Sequence, residues 1–168
     1  MEFPTAPNEF PQVAGSAGDR VGGVIYLLRH GDAEPGQGAG DDARRLTSKG
    51  EEQALAAGRA IAALDMNVDC CLASPKVRAF DTADLACRAL AVKPEVVESI
   101  AWGDYDALDL AAGRGDTLIV GHEPVLSAEV ARLTGANVKI KKAGLAVIDR
   151  NTLRALFRPG DLTAIAGR

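Results

Sequence analysis

Cysteine and histidine are scarce in this chain, and each scarcity removes a class of function. The three cysteines, Cys70, Cys71 and Cys87, form an odd set with two of them adjacent. That is neither a disulfide framework nor a zinc-ligand spacing, so they read as small buried hydrophobes. Two histidines and no Cys-x-x-Cys pair leave a metal centre without a plausible ligand set. No apolar run approaches the roughly 20 residues of a membrane span. The start, Met1-Glu2-Phe3-Pro4, has neither the basic nor the apolar region of a signal peptide, so a cytoplasmic location is the expectation. A basic excess is also missing: 19 Lys and Arg against 23 Asp and Glu give a net charge of -4. A nucleic-acid binder needs a basic face for the phosphate backbone, and an anion site here must instead be local.

What is present fits one domain: 168 residues, 47% of them hydrophobic, are enough for a single core and too few for two. Residues 1–23 carry Pro4, Pro7, Pro11 and several glycines without periodicity, which predicts a loose tail ahead of a domain over 24–168. Val24-Ile25-Tyr26-Leu27-Leu28-Arg29-His30-Gly31 is an apolar, β-branched and aromatic run that stops at a guanidinium, an imidazole and a glycine. Such a run reads as a strand buried on both faces, and ligands in open α/β sheets bind at the carboxyl ends of such strands.

The following segment, Asp32 to Arg45, is an aperiodic loop holding Asp32, Glu34, Asp41 and Asp42. A capping box at Ser48 and Glu51, with Thr47 as a competing cap, opens a helix whose stripe is Ala54, Leu55, Gly58, Ile61, Ala62 and Leu64. Val68 to Ala73 reads as a strand, Ser74-Pro75 as the cap and first position of a helix over 76–90, and Pro94 to Val97 as a third strand. Trp102 to Ala112 reads as a weaker helix ending at Gly113, with Trp102 and Tyr105 as packing residues. Thr117-Leu118-Ile119-Val120-Gly121-His122-Glu123-Pro124 repeats the first theme and leads into a helix over 125–133. Lys139-x-Lys141-Lys142 reads as a solvated strand edge, the alternative being a patch that steers an acidic partner. Gly144 to Asp149 and Leu153 to Phe157 form a hairpin. The alternation predicts an α/β fold: a three-layer α/β/α sandwich around a doubly wound, mostly parallel sheet with an antiparallel strand near the C-terminus.

Both histidines directly follow an apolar strand, a coincidence that a structural role does not explain. Arg78 falls in the first turn of a helix, where a cation opposes the macrodipole unless an anion is shared or it pairs with Asp81 or Asp84. Two guanidinium groups, two imidazoles and helix N-termini on one rim make a pocket for a doubly charged tetrahedral anion. A neutral imidazole there can attack phosphorus, chemistry that calls for no metal and no cofactor.

In order and spacing, Leu28-Arg29-His30-Gly31, Leu46-Thr47-x-x-Gly50, Ser74-x-x-x-Arg78-Ala79-x-x-Thr82-Ala83 and Val120-Gly121-His122 resemble the phosphoglycerate mutase-like histidine phosphatase superfamily, specifically its short SixA-type phosphohistidine phosphatase branch. The resemblance implies that His30 is the nucleophile and that Arg29, Arg78 and His122 hold the phosphoryl group. For the proton donor it implies an acid from the loop after the first strand, with Asp41 the first candidate and Glu34 the second. Glu123 stands where many members carry asparagine, and its carboxylate is expected to face away from the phosphate. The implied activity is a phosphatase acting on phosphohistidine, or another phosphorylated residue, of a protein. A phosphatase of a small phosphorylated metabolite and a non-catalytic phosphate-binding module are the competing readings.

Overall fold

A computed structural model describes residues 22–36 and 40–167; the predicted tail lies, up to residue 21, outside the described residues. Six strands form one sheet in the order β3-β2-β4-β1-β5-β6. They are β1 (Ile25–Arg29), β2 (Cys70–Ala73), β3 (Pro94–Val96), β4 (Thr117–Gly121), β5 (Leu145–Asp149) and β6 (Thr152–Phe157). The first four run parallel, and β5 is antiparallel to both β1 and β6. The helices are α1 (Ser48–Ala63), α2 (Val77–Cys87), α3 (Glu98–Trp102), α4 (Ala107–Ala111), α5 (Val125–Thr134) and α6 (Pro159–Ala166).

Successive side chains of β1 serve opposite layers, as the two-residue period of a strand requires. Tyr26 and Leu28 join a core with Ala57, Ile61, Ala83 and Leu162, beneath α1, α2 and α6. Ile25 and Leu27 join another with Ile100, Ala107, Leu126 and Val130, beneath α3, α4 and α5. Sheet and two helical layers make the α/β/α sandwich. Among the described residues, no helix is long and apolar enough to cross a membrane.

Several local expectations are corrected. Thr47, not Ser48, caps α1: its Oγ1 accepts from the Gly50 N–H at 3.1 Å and donates to Asp32 Oδ2 at 2.9 Å, a tie to the first loop that Ser48 does not make. The buried stripe of α1 is Ala54, Ala57, Gly58, Ala60 and Ile61, while Leu64 at its C-terminus is exposed. The chain bends after Ser74 and α2 starts only at Val77; Ser74 Oγ accepts from the Lys76 N–H at 3.2 Å and lies 2.8 Å from His122 Nε2. Of the expected helix from Trp102 to Ala112 only α4 forms; Trp102 instead ends α3, and the chain breaks at Gly103, which adopts φ 74°. That break leaves Trp102 74% exposed instead of packed. The lysine run is no strand edge; the Ile140 backbone within it bonds side chains instead of a neighbouring strand. α6 was not anticipated from its Pro-Gly start, although Asp161 Oδ2 accepts from the Arg158 N–H at 2.8 Å and Leu162 is buried.

Candidate active site

Strand register brings the two histidines together. β1 and β4 pair with Arg29 opposite Gly121, so His30 and His122 each stand one residue past the same rung. Neighbouring strands lie about 4.8 Å apart, and the ring centroids are 5.3 Å apart at 52°. The His30 N–H donates to the Gly121 carbonyl at 3.1 Å, extending the ladder to the site itself.

The hydrogen bonds of His30 fix its reactive nitrogen. Nδ1 lies 2.8 Å from the carbonyl oxygen of Gly31, which can only accept, so Nδ1 carries the proton. The lone pair is then on Nε2, and Arg78 Nε–H points to it at 3.4 Å. Burial pushes the His30 imidazole down to about 4, with the Arg78, Arg29 and Arg44 guanidinium groups adding to the shift and the Gly31 carbonyl opposing it. His122 is pushed down to about 3, chiefly by burial, then by His30, Arg78 and Lys76, against Asp41. Both rings are neutral at pH 7.

Arg78 is buried within the first turn of α2 and pairs with neither Asp81 nor Asp84. Its Nη1 donates to the Asp41 carbonyl at 2.7 Å and its Nη2 to Asp41 Oδ2 at 3.0 Å. Arg29, at the end of β1, donates from Nη1 to the Ile140 carbonyl at 3.0 Å. Its Nε is buried without a partner among the described residues, as is His122 Nδ1. Buried nitrogens left unpaired on a rim of cations are what an oxyanion would satisfy.

Asp41 stands in a short 3₁₀ turn, Asp41–Ala43, over the same rim. Hydrogen bonds from Lys76, Arg44 and Arg78 hold its carboxyl far below the usual carboxylate range, so in this arrangement it is a pure acceptor. Glu34 is exposed and its backbone is tied to Arg44 and Arg45. Glu123 faces away from the rim: it accepts from the Ser127 hydroxyl and from the Ile140 N–H, the latter at 2.9 Å. Since the carbonyl of the same Ile140 holds Arg29, Glu123 acts on the rim through the backbone.

Sequence reasoning passed over Ser74, Lys76 and Thr82 as individual participants. Ser74 Oγ is 2.8 Å from His122 Nε2, Lys76 Nζ is 3.1 Å from Asp41 Oδ2, and Thr82 Oγ1 accepts from the Gly31 N–H at 3.0 Å. Ser74 and Thr82 were visible only as motif positions; Lys76 had no signal, since its partner lies 35 residues away. The glycines of the motifs have a steric cause. A Cβ on Gly50 would lie 2.0 Å from the Asp32 carbonyl oxygen, and one on Gly31 would lie 2.7 Å from that of Gly50.

The fold and this rim define a class of protein: an α/β/α domain with paired imidazoles and Arg29 at the ends of its two central strands and a second guanidinium, Arg78, in the first turn of α2. The sequence matches the histidine phosphatase superfamily (branch 1) over residues 25–112. An uncharacterized protein of Picosynechococcus sp. (strain PCC 7002) is 33% identical over 134 residues, covering 72% of this chain and 81% of that one. The chain belongs to the histidine phosphatase superfamily.

Solved structures share the fold. The protein histidine phosphatase SixA complexed with tungstate superposes with TM-score 0.72 at 20% identity, over 83% of this chain and 99% of that one. The α-ribazole phosphatase of Shigella flexneri gives 0.61 at 24%, over 81% and 96%. The phosphoserine phosphatase of Entamoeba histolytica gives 0.59 at 15%, over 83% and 98%. The named neighbours are phosphatases, and with the family they support a hydrolase.

Proposed function

We propose that this protein is a metal-independent phosphatase that works through a phosphohistidine on His30, and that its substrate is phosphohistidine on a partner protein. The observation that carries the reading is the His30 tautomer: a neutral ring with its lone pair on Nε2, aimed at a buried guanidinium. Arg29, Arg78 and His122 hold the phosphoryl oxygens, where preorganised donors favour the charge of the transition state.

In the first step the Nε2–P bond forms as the bond from phosphorus to the leaving atom breaks, and the leaving atom takes a proton from Asp41. In the second, water attacks phosphorus, gives a proton back to Asp41, and the Nε2–P bond breaks. Asp41 is preferred to Glu34 because it already lies against Arg78. A dianionic phosphoryl group on Arg78 displaces the carboxylate from one cation and sets negative charge beside it, and both changes raise its pKa. The protein substrate is supported by the SixA-like fold.

The test is a brief exposure to a substrate carrying labelled phosphate, followed by quenching. Acid-labile, base-stable label on the wild type and none on His30→Ala is expected; label retained by that variant refutes the assignment. A non-catalytic module would bind phosphate and take up no label at all.

A further inference from the structure

Next to the candidate active site lies an open cleft of about 440 Å³ whose charged lining is Arg29, Lys49, Lys139, Lys141 and Lys142 with the single carboxylate Asp32. Asp32 is committed to Lys142, 2.9 Å away, and to the Thr47 hydroxyl. Among the described residues, Lys49, Lys139 and Lys141 pair with no carboxylate, and all three are exposed. Five cations thus converge in a chain whose net charge is -4. Arg29 lines the cleft and also ends β1 beside His30, so the cleft continues into the place proposed for the phosphoryl group.

We infer that this cleft docks an acidic stretch of the partner protein flanking its phosphorylated histidine, with Lys49, Lys139 and Lys141 as the contacts. The inference rests on the protein-phosphatase reading above. Lysines on flexible, hydrated stems, spread over the first turn of α1 and the 139–142 segment, suit several dispersed carboxylates. A single compact second phosphate would call for a planar buried fork of the Arg78 kind. The remainder of an acidic surface repels an acidic partner, so the cleft sets its approach direction as well as its capture rate.

The test compares two histidine-phosphorylated peptides of equal length, one flanked by Asp and Glu and one by Ser and Asn, on the wild type and on the Lys139→Gln/Lys141→Gln double variant. Wild type should favour the acidic peptide by roughly tenfold in kcat/KM at low salt, with the preference shrinking as salt is added. In the double variant the preference should fall to within about twofold, while turnover of an aryl phosphate, which has no flank, changes by less than about twofold. Equal kcat/KM for the two peptides on wild type overturns the inference.

A second arm works without phosphohistidine turnover: an unphosphorylated acidic peptide competing against the aryl phosphate. Competition by wild type that is lost in the double variant supports the cleft even if neither phosphopeptide is a substrate, an outcome that would instead remove the phosphohistidine reading. Absence of competition, or stronger competition by inorganic pyrophosphate that the double variant also loses, assigns the cleft to no acidic protein segment and overturns the proposal.

Discussion

Replacing Asp41 by asparagine separates the ion pairs that its carboxylate makes from the proton-donor role proposed for it. Its carboxylate pairs with Arg78, Lys76 and Arg44 at 3.0–3.1 Å. A phosphoryl group must therefore compete for Arg78. The carboxylate side chain is 54% exposed and the guanidinium only 6%, so the pair is screened on one side and is worth no more than about 1 kcal/mol. Removing the charge should tighten binding of orthovanadate by up to about fivefold, the equivalent of that energy. Turnover should move the other way, falling roughly 10²–10⁴-fold, because an amide cannot protonate the leaving atom. The loss should be largest for alkyl phosphates and smallest for aryl phosphates, whose leaving groups need least help. Isothermal titration with vanadate and kcat across a leaving-group series check both halves. Weaker vanadate binding, or a kcat on alkyl phosphate that does not change, refutes the assignment and turns attention to Glu34.

Arg78→Ala should reduce kcat/KM by at least about 10²-fold, since it removes a two-pronged donor from the site of charge development; a change below about tenfold in steady-state kinetics contradicts its role. Stability should fall on acidification: His30 and His122 have folded values of about 4 and 3, below the unfolded value of about 6.5. The unfolded chain therefore binds protons first as pH drops below about 6.5, and His30 alone loses on the order of 3 kcal/mol by pH 4. With only two histidines in the chain, a Tm unchanged between about pH 7 and 5 would contradict their burial as neutral rings. Gly50→Ala should be destabilising by about 1–3 kcal/mol despite the roughly 1 kcal/mol that alanine gains in a helix, because its Cβ would meet the Asp32 carbonyl oxygen at 2.0 Å. Urea titration checks the sign. Glu123→Gln should lower kcat/KM several-fold through looser positioning of Arg29 and leave the fold intact; an unchanged profile would mean that the Ile140 bridge does not govern Arg29.

The sandwich was legible because buried parallel strands are continuous apolar runs, and β1, β2 and β4 are such runs. The convergence of His30, His122, Arg29 and Arg78 was legible because each ends or follows a strand, or starts a helix, at the carboxyl ends of the parallel strands. Relations that depend on side chains distant in sequence were not. Nothing near Thr47 in the chain shows that Asp32 would draw it into the capping role from Ser48, and nothing near Lys76 shows that Asp41 lies above it. α6 escaped notice because Pro159-Gly160 looks like a turn, whereas a proline in the first helical turn loses no hydrogen bond.

The rung joining Arg29 to Gly121 limits how this rim can change. The spacing of the His30 and His122 rings is inherited from backbone pairing in the middle of the sheet. Substituting the exposed Lys49, Lys139 and Lys141 beside the rim would therefore alter the charge that an incoming molecule meets and leave the spacing of the two rings as it stands.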